Sequence, residues 1–176
     1  MSKIELSPTQ MHWMDNGDPL HDCCVHGGIF LSIDGFVVSD GKETEWTVST
    51  AAFNFLRTLS EDQPVTGRES LVPCCGFTMW PVESEPDGLY MPNCDYGINW
   101  SITHDDGEVV HEFYDGTTIT TPLSDWKTAV CRFADEVEEF LHSAWPKVIN
   151  DDLDRRGFEL FLSLWSKRRS EADDER

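Results

Sequence analysis

The sequence predicts an α+β fold, an antiparallel sheet of hairpins and a meander covered by about three helices, the last two forming a C-terminal helical pair. Three observations carry the prediction. Strands and helices are segregated along the chain, with no repeated βαβ unit. Asp-Gly dipeptides separate short β-branched and aromatic runs, as at Asp34-Gly35 and Asp106-Gly107. Apolar residues recur at steps of three and four in residues 49–59 and again through 124–169.

Ile4 to Leu6 reads as a short opening strand. Ile29 to Ile33 and Phe36 to Ser39 flank Asp34-Gly35, which supplies the two positive-φ residues of a type I′ hairpin turn. Glu45-Trp46-Thr47-Val48 is a further strand that runs into a helix over 49–59, with Ser49 as its cap and Ala52, Phe55, Leu56 and Leu59 on one face. Residues 61–97 keep no sustained period and hold Pro64, Pro73, Pro81, Pro86 and Pro92. They read as a long irregular segment, or one relieved by a pair of short strands near residues 76–82.

Ile98 to Thr121 reads as a three-stranded meander. A two-residue loop at Asp106-Gly107 sets His104 opposite Val109, Ile102 opposite His111 and Trp100 opposite Phe113, so that all six share a face. A helix capped by Ser124 follows, with Trp126, Val130, Phe133, Val137 and Phe140 facing the core, and it ends before Pro146. Asn150-Asp151-Asp152 opens the last helix and Lys167-Arg168-Arg169 close it, each set matching the helix dipole. Residues 1–169 make one domain, and 170–176 are a polar tail.

Charge narrows function more than fold. The chain carries 33 acidic and 13 basic residues, a net charge of −20, and the first 120 residues hold 20 of the acids and only 4 of the bases. A field of that sign repels nucleic acid and anionic membranes and attracts basic proteins. Solubility or a salt-rich environment would also account for it. No apolar run approaches the roughly 18 residues of a membrane span, and the Met1-Ser2-Lys3-Ile4-Glu5 start has no basic or apolar signal region, so a soluble, cytoplasmic protein is expected.

The cysteines of such a chain are expected to be thiols. His21, Cys23, Cys24 and His26, completed by Cys74, Cys75 or Cys94, contain zinc-ligating groups, although adjacent cysteines lack the Cys-x₂₋₄-Cys spacing that turns two sulfurs onto one ion; zinc is therefore a secondary expectation. No cofactor motif is present, nor a nucleophile elbow, a phosphate loop or a dinucleotide glycine fingerprint, so a non-catalytic protein is favoured. Cys94 beside Asp95, with His104 or His111 as base, is the set from which thiol chemistry would be assembled. On the meander face, His104 and His111 also suit core positions.

The acid clusters, among them Asp105-Asp106, Asp135, Glu136, Glu138 and Glu139, and Asp151-Asp152-x-Asp154, do not match a calcium loop and suit solvated faces. Displayed from a rigid fold, acids also capture basic active sites, with exposed aromatics as anchors; Trp80 and Trp13 are the candidates among seven tryptophans. Phe158, Phe161, Leu162 and Trp165 stripe one side of the last helix and Leu153, Leu160 and Leu164 another. The 150–169 helix is therefore inserted between layers of its own domain or shared with a second chain in a homodimer.

In composition, a small, acidic, tryptophan-rich α+β chain is similar to the immunity proteins that neutralise toxins. The resemblance implies a non-catalytic inhibitor of a basic partner and carries over no individual residue.

Overall fold

The computed structural model describes residues 3–14, 17–64, 70–74, 78–85, 87–92 and 96–174. Among them the α+β class holds, with antiparallel sheets and three helices in the order β1 (Ile4–His12), β2 (His26–Ile33), β3 (Phe36–Asp40), β4 (Trp46–Thr47), α1 (Val48–Arg57), β5 (Val72–Pro73), β6 (Trp80–Pro81), β7 (Leu89–Tyr90), β8 (Gly97–Ile98), β9 (Ser101–Asp105), β10 (Glu108–Glu112), β11 (Thr118–Pro122), α2 (Leu123–His142) and α3 (Asp152–Asp174). No helix among the described residues is long and apolar enough to cross a membrane.

The strands do not join into the one sheet expected. β1 and β3 flank β2, which also pairs with β4; β9, β10 and β11 form a separate meander, and β5–β8 and β6–β7 are two-residue ladders. What joins the two larger sheets is side-chain packing, for example the Phe36 and Phe113 rings 4.6 Å apart. Alternation within a strand fixes its faces but not its sheet partner, so this separation is a tertiary outcome.

The hairpin and the meander have the expected turns. Asp34 and Gly35 have φ of 49° and 85°, Asp106 and Gly107 of 44° and 84°, the left-handed pair that an Asp-Gly turn supplies. His104 faces Val109 and Ile102 faces His111 across β9 and β10. Trp100 and Phe113 lie just beyond that ladder and stack at 5.8 Å.

Both helix caps read from local sequence are replaced by long-range ones. In place of capping α1, the Ser49 hydroxyl accepts the Val25 amide at 3.1 Å, while the Ser49 amide donates to the Val25 carbonyl at 3.3 Å. Ser124 likewise does not cap α2; Pro122 is the N-cap residue, and the Leu123 amide donates to the Gly107 carbonyl at 2.9 Å. A neighbouring segment thus satisfies the helix-start donors that a side chain would otherwise take. At α3 the local signal works, because Asp151 Oδ1 accepts the Leu153 and Asp154 amides at 2.8 and 3.1 Å.

β1 extends past Leu6 to His12, and α3 runs on through residue 174, with Ala172 buried, so residues 170–174 are helix and not tail. The basic run therefore lies inside α3. Arg168 is buried there and pairs with Glu61 at 3.0 Å and with Asp87, while Arg169 forks onto Asp135 at 2.7 and 3.0 Å.

The core sits between α1, α2, the meander and α3. Phe55 is its centre, ringed by Trp100, Trp126 and Phe133 at centroid distances of 5.8–6.0 Å. Phe158, Phe161 and Trp165 bring α3 into the same core. Burying each such side chain contributes about 1.5–3 kcal/mol.

Candidate functional site: an acidic cleft at the start of α3

A candidate binding cleft lies where the 17–23 loop, the 78–80 segment and the first turns of α3 meet. Gly157 makes the meeting possible. A Cβ there would sit 1.8 Å from the Met79 carbonyl oxygen, so only glycine lets α3 lie on the 79–80 backbone. Three residues earlier, Asp154 Oδ1 accepts the Trp80 indole N–H at 3.2 Å. On the other side Val148 donates its amide to the Leu20 carbonyl at 2.8 Å, and the His21 ring bonds the Val148 carbonyl, also at 2.8 Å.

These contacts enclose a cleft of about 760 Å³. Asp18, Asp22, Asp151 and Asp154 line it, with Met14, Met79, Ile149 and Phe158 as apolar wall, and no Lys or Arg is among the described lining residues. Asp18 Oδ1 accepts the Leu20 amide at 3.0 Å, and Asp151 Oδ1 caps α3. Asp18, Asp151 and Asp154 are thus held by neutral donors, which fix a carboxylate without cancelling its charge.

Asp22 is the most engaged of the four. Its oxygens accept the Met14 and Cys24 amides at 3.0 Å each, and His26 Nε2 stands 3.7 Å away. Burial works to raise this carboxyl, but the His26 contact and the two amides together hold it below the ordinary range.

The apolar rim is exposed. Met14, Trp80, Trp145, Val148 and Leu153 are all solvent-facing large hydrophobic residues. Met14 and Val148 line the cleft itself, Trp80 bonds Asp154, Leu153 adjoins it on α3, and Trp145 packs on Phe158 at 6.4 Å.

Among the described residues no three His, Cys, Asp or Glu side chains gather as a metal site, so His21, Cys23, Cys24, His26 and Cys74 do not by themselves form one. His21 is turned to Val148, His26 lies beside Asp22, Cys24 is in the core, and Cys23 lines the cleft. The Cys74 carbonyl accepts the Thr47 hydroxyl at 3.4 Å. Cys75 and Cys94 lie outside the described residues. Burial pushes the Cys23 thiol up to about 11, against the pull of Lys147, and raises Cys24 and Cys131 as well. Those three keep their protons at neutral pH, whereas the thiolate is the nucleophile and metal ligand.

His104 and His111 are held by structural bonds. The His104 ring and amide both bond Asp62 Oδ1, at 2.8 and 2.9 Å. His111 is fully buried; its Nδ1 accepts the Trp100 indole N–H at 3.1 Å, which leaves the proton on Nε2, directed at the Thr121 hydroxyl at 3.3 Å.

The two tryptophans chosen as anchors differ. Trp80 is at the cleft rim. Trp13 is half-buried, stacked on Phe140 at 5.2 Å and covered by Lys147 Nζ 3.6 Å above its ring. Asp105 and Asp106 are exposed at the meander turn, remote in sequence from the cleft segments; Asp135 is spent on Arg169, and Glu136, Glu138 and Glu139 lie on the outer side of α2. Sequence reasoning noticed Asp151 and Asp154 only as a helix start and a solvated cluster, and passed over Asp18 and Asp22. The available signal was an Asp-Pro-Leu-His-Asp segment around Pro19, read with the apolar Met14 just before it.

No family model matches the chain, and neither a curated protein nor a solved structure is significantly similar to it.

Proposed function

We propose that the chain is a non-catalytic binding module for a basic protein partner, acting as an inhibitor that covers a cationic surface such as the substrate site of a nuclease-like toxin. The observation that carries this reading is the cleft, four aspartates and an apolar wall with no cationic side chain in its described lining. The net charge of −20 would speed encounter with such a partner. Exposed Trp80 and Trp145 beside the cleft are the residue type that slows departure once docked. Burial raises the Cys23 and Cys24 thiols, which disfavours those two as nucleophiles. The α3 stripe of Phe158, Phe161 and Trp165 packs on the chain's own core, which favours a monomer over a dimer shared through residues 150–169.

The test is capture from extract of the source cells by immobilised protein, followed by direct binding of the purified partner. A one-to-one complex is expected with a basic protein, its association rate falling at least tenfold between about 0.05 and 0.5 M NaCl, and the partner's own activity is suppressed in the complex. Binding that is indifferent to salt, or no basic protein captured, overturns the proposal.

A further inference from the structure

We propose that the cleft receives a single arginine side chain of that partner, its guanidinium between the carboxylates of the 18–22 segment and those of the α3 N-terminus, its methylenes against Met14, Met79 and Phe158. The inference rests on the docking reading above and specifies the group that enters.

Charge and shape each point this way. The cleft draws its four aspartates from two separate segments, Asp18 and Asp22 from the 17–23 loop and Asp151 and Asp154 from the start of α3. A planar guanidinium with five N–H donors can address both segments at once, whereas an ammonium is a compact point charge. Guanidinium is also the more weakly hydrated cation, so it enters a cleft walled by Met79 and Phe158 at lower cost.

Two further observations are independent of the acids. Four exposed large apolar side chains, Met14, Val148, Trp80 and Trp145, line the cleft or touch its lining residues, and a rim of that kind marks a protein contact. The chain's own Lys147 already shows how a cation is held next door. Its ammonium lies over the Trp13 ring at 3.6 Å and donates to the Pro19 carbonyl at 3.0 Å, one residue from Asp18.

The test is an NMR titration with argininamide, with citrullinamide, which keeps the α-ammonium but replaces the guanidinium by a neutral ureido isostere, as the control, on the wild type and on the triple variant Asp18→Asn, Asp151→Asn, Asp154→Asn. Asparagine keeps an Oδ1 acceptor at each position, so the Leu20 and α3 caps and the Trp80 bond can persist while the charge is removed. Wild type is expected to show saturable shifts at the Met14 and Met79 methyls and the Trp80 indole N–H, with a Kd on the order of 1 mM. Citrullinamide binds at least tenfold more weakly, and so does the triple variant with unchanged melting temperature. Equal binding of citrullinamide, shifts centred on Glu136, Glu138 and Glu139, or no saturation overturns the inference, whether or not the variant folds. If argininamide does not bind while the purified partner still does so in a salt-sensitive way, this inference falls and the docking reading stands. If the partner does not bind either, both fall.

Discussion

His111 has its ring wedged against Trp126, centroids 4.9 Å apart and nearly perpendicular, with both nitrogens bonded inside the core. Burial lowers its pKa from 6.5 to about 4. The folded ring therefore resists a proton that the unfolded chain accepts near 6.5. Stability is unaffected above pH 6.5, is lost progressively as pH falls from about 6.5 to about 4, and the loss reaches about 3 kcal/mol. An NMR titration of the His111 ring protons should stay flat from pH 7.5 to 5, with denaturant midpoints falling over the same interval; a ring titrating near 6.5 contradicts the buried neutral state. His111 as a core residue was legible from its place on the meander face, because period-two alternation sets which side chains turn inward. Its partners were only partly legible: the register gave Ile102, while Trp100, just before β9, and Thr121 on β11 bond it.

Among the elements, α3 determines the site, because Gly157 seats it on β6 and Asp154 ties it to Trp80. Glycine inside a helix costs about 1 kcal/mol relative to alanine, so Gly157→Ala would stabilise a free helix. Here the added methyl meets backbone at 1.8 Å, and overpacking of that kind costs about 1–3 kcal/mol or more. The variant is expected to melt about 3–8 °C lower, with altered Trp80 fluorescence; an unchanged or higher melting temperature contradicts the packing described. Elements with strong periods or turn signals, α1, α2, the hairpin and the meander, were readable locally. Ser49 and Ser124 misled because Val25 and Gly107, distant in sequence, supply the partners that a local cap would have provided.

For the whole molecule, the docking proposed above assigns the acidic field and the cleft to different steps, encounter and retention. The field follows from composition and was evident from the charge count. The cleft was not, because it requires Asp18 and Asp22 to meet Asp151 and Asp154 across more than a hundred intervening residues, a closure made by Val148 on Leu20 and by α3 on Met79. Sequence reading placed the acidic function on Glu136, Glu138 and Glu139 as much as anywhere, since exposure and charge are local properties and concavity is not. Retention at the cleft predicts that acids of equal charge have unequal effects. The measurement that separates them is calorimetric titration of the purified basic partner into three proteins: wild type, the triple variant Asp18→Asn, Asp151→Asn, Asp154→Asn, and the triple variant Glu136→Gln, Glu138→Gln, Glu139→Gln. The cleft variant should lose at least about 2 kcal/mol of binding, a thirtyfold rise in Kd or more, while the α2 variant changes by less than about 1 kcal/mol. Equal losses, or the larger loss in the α2 variant, would contradict the cleft as the site of docking.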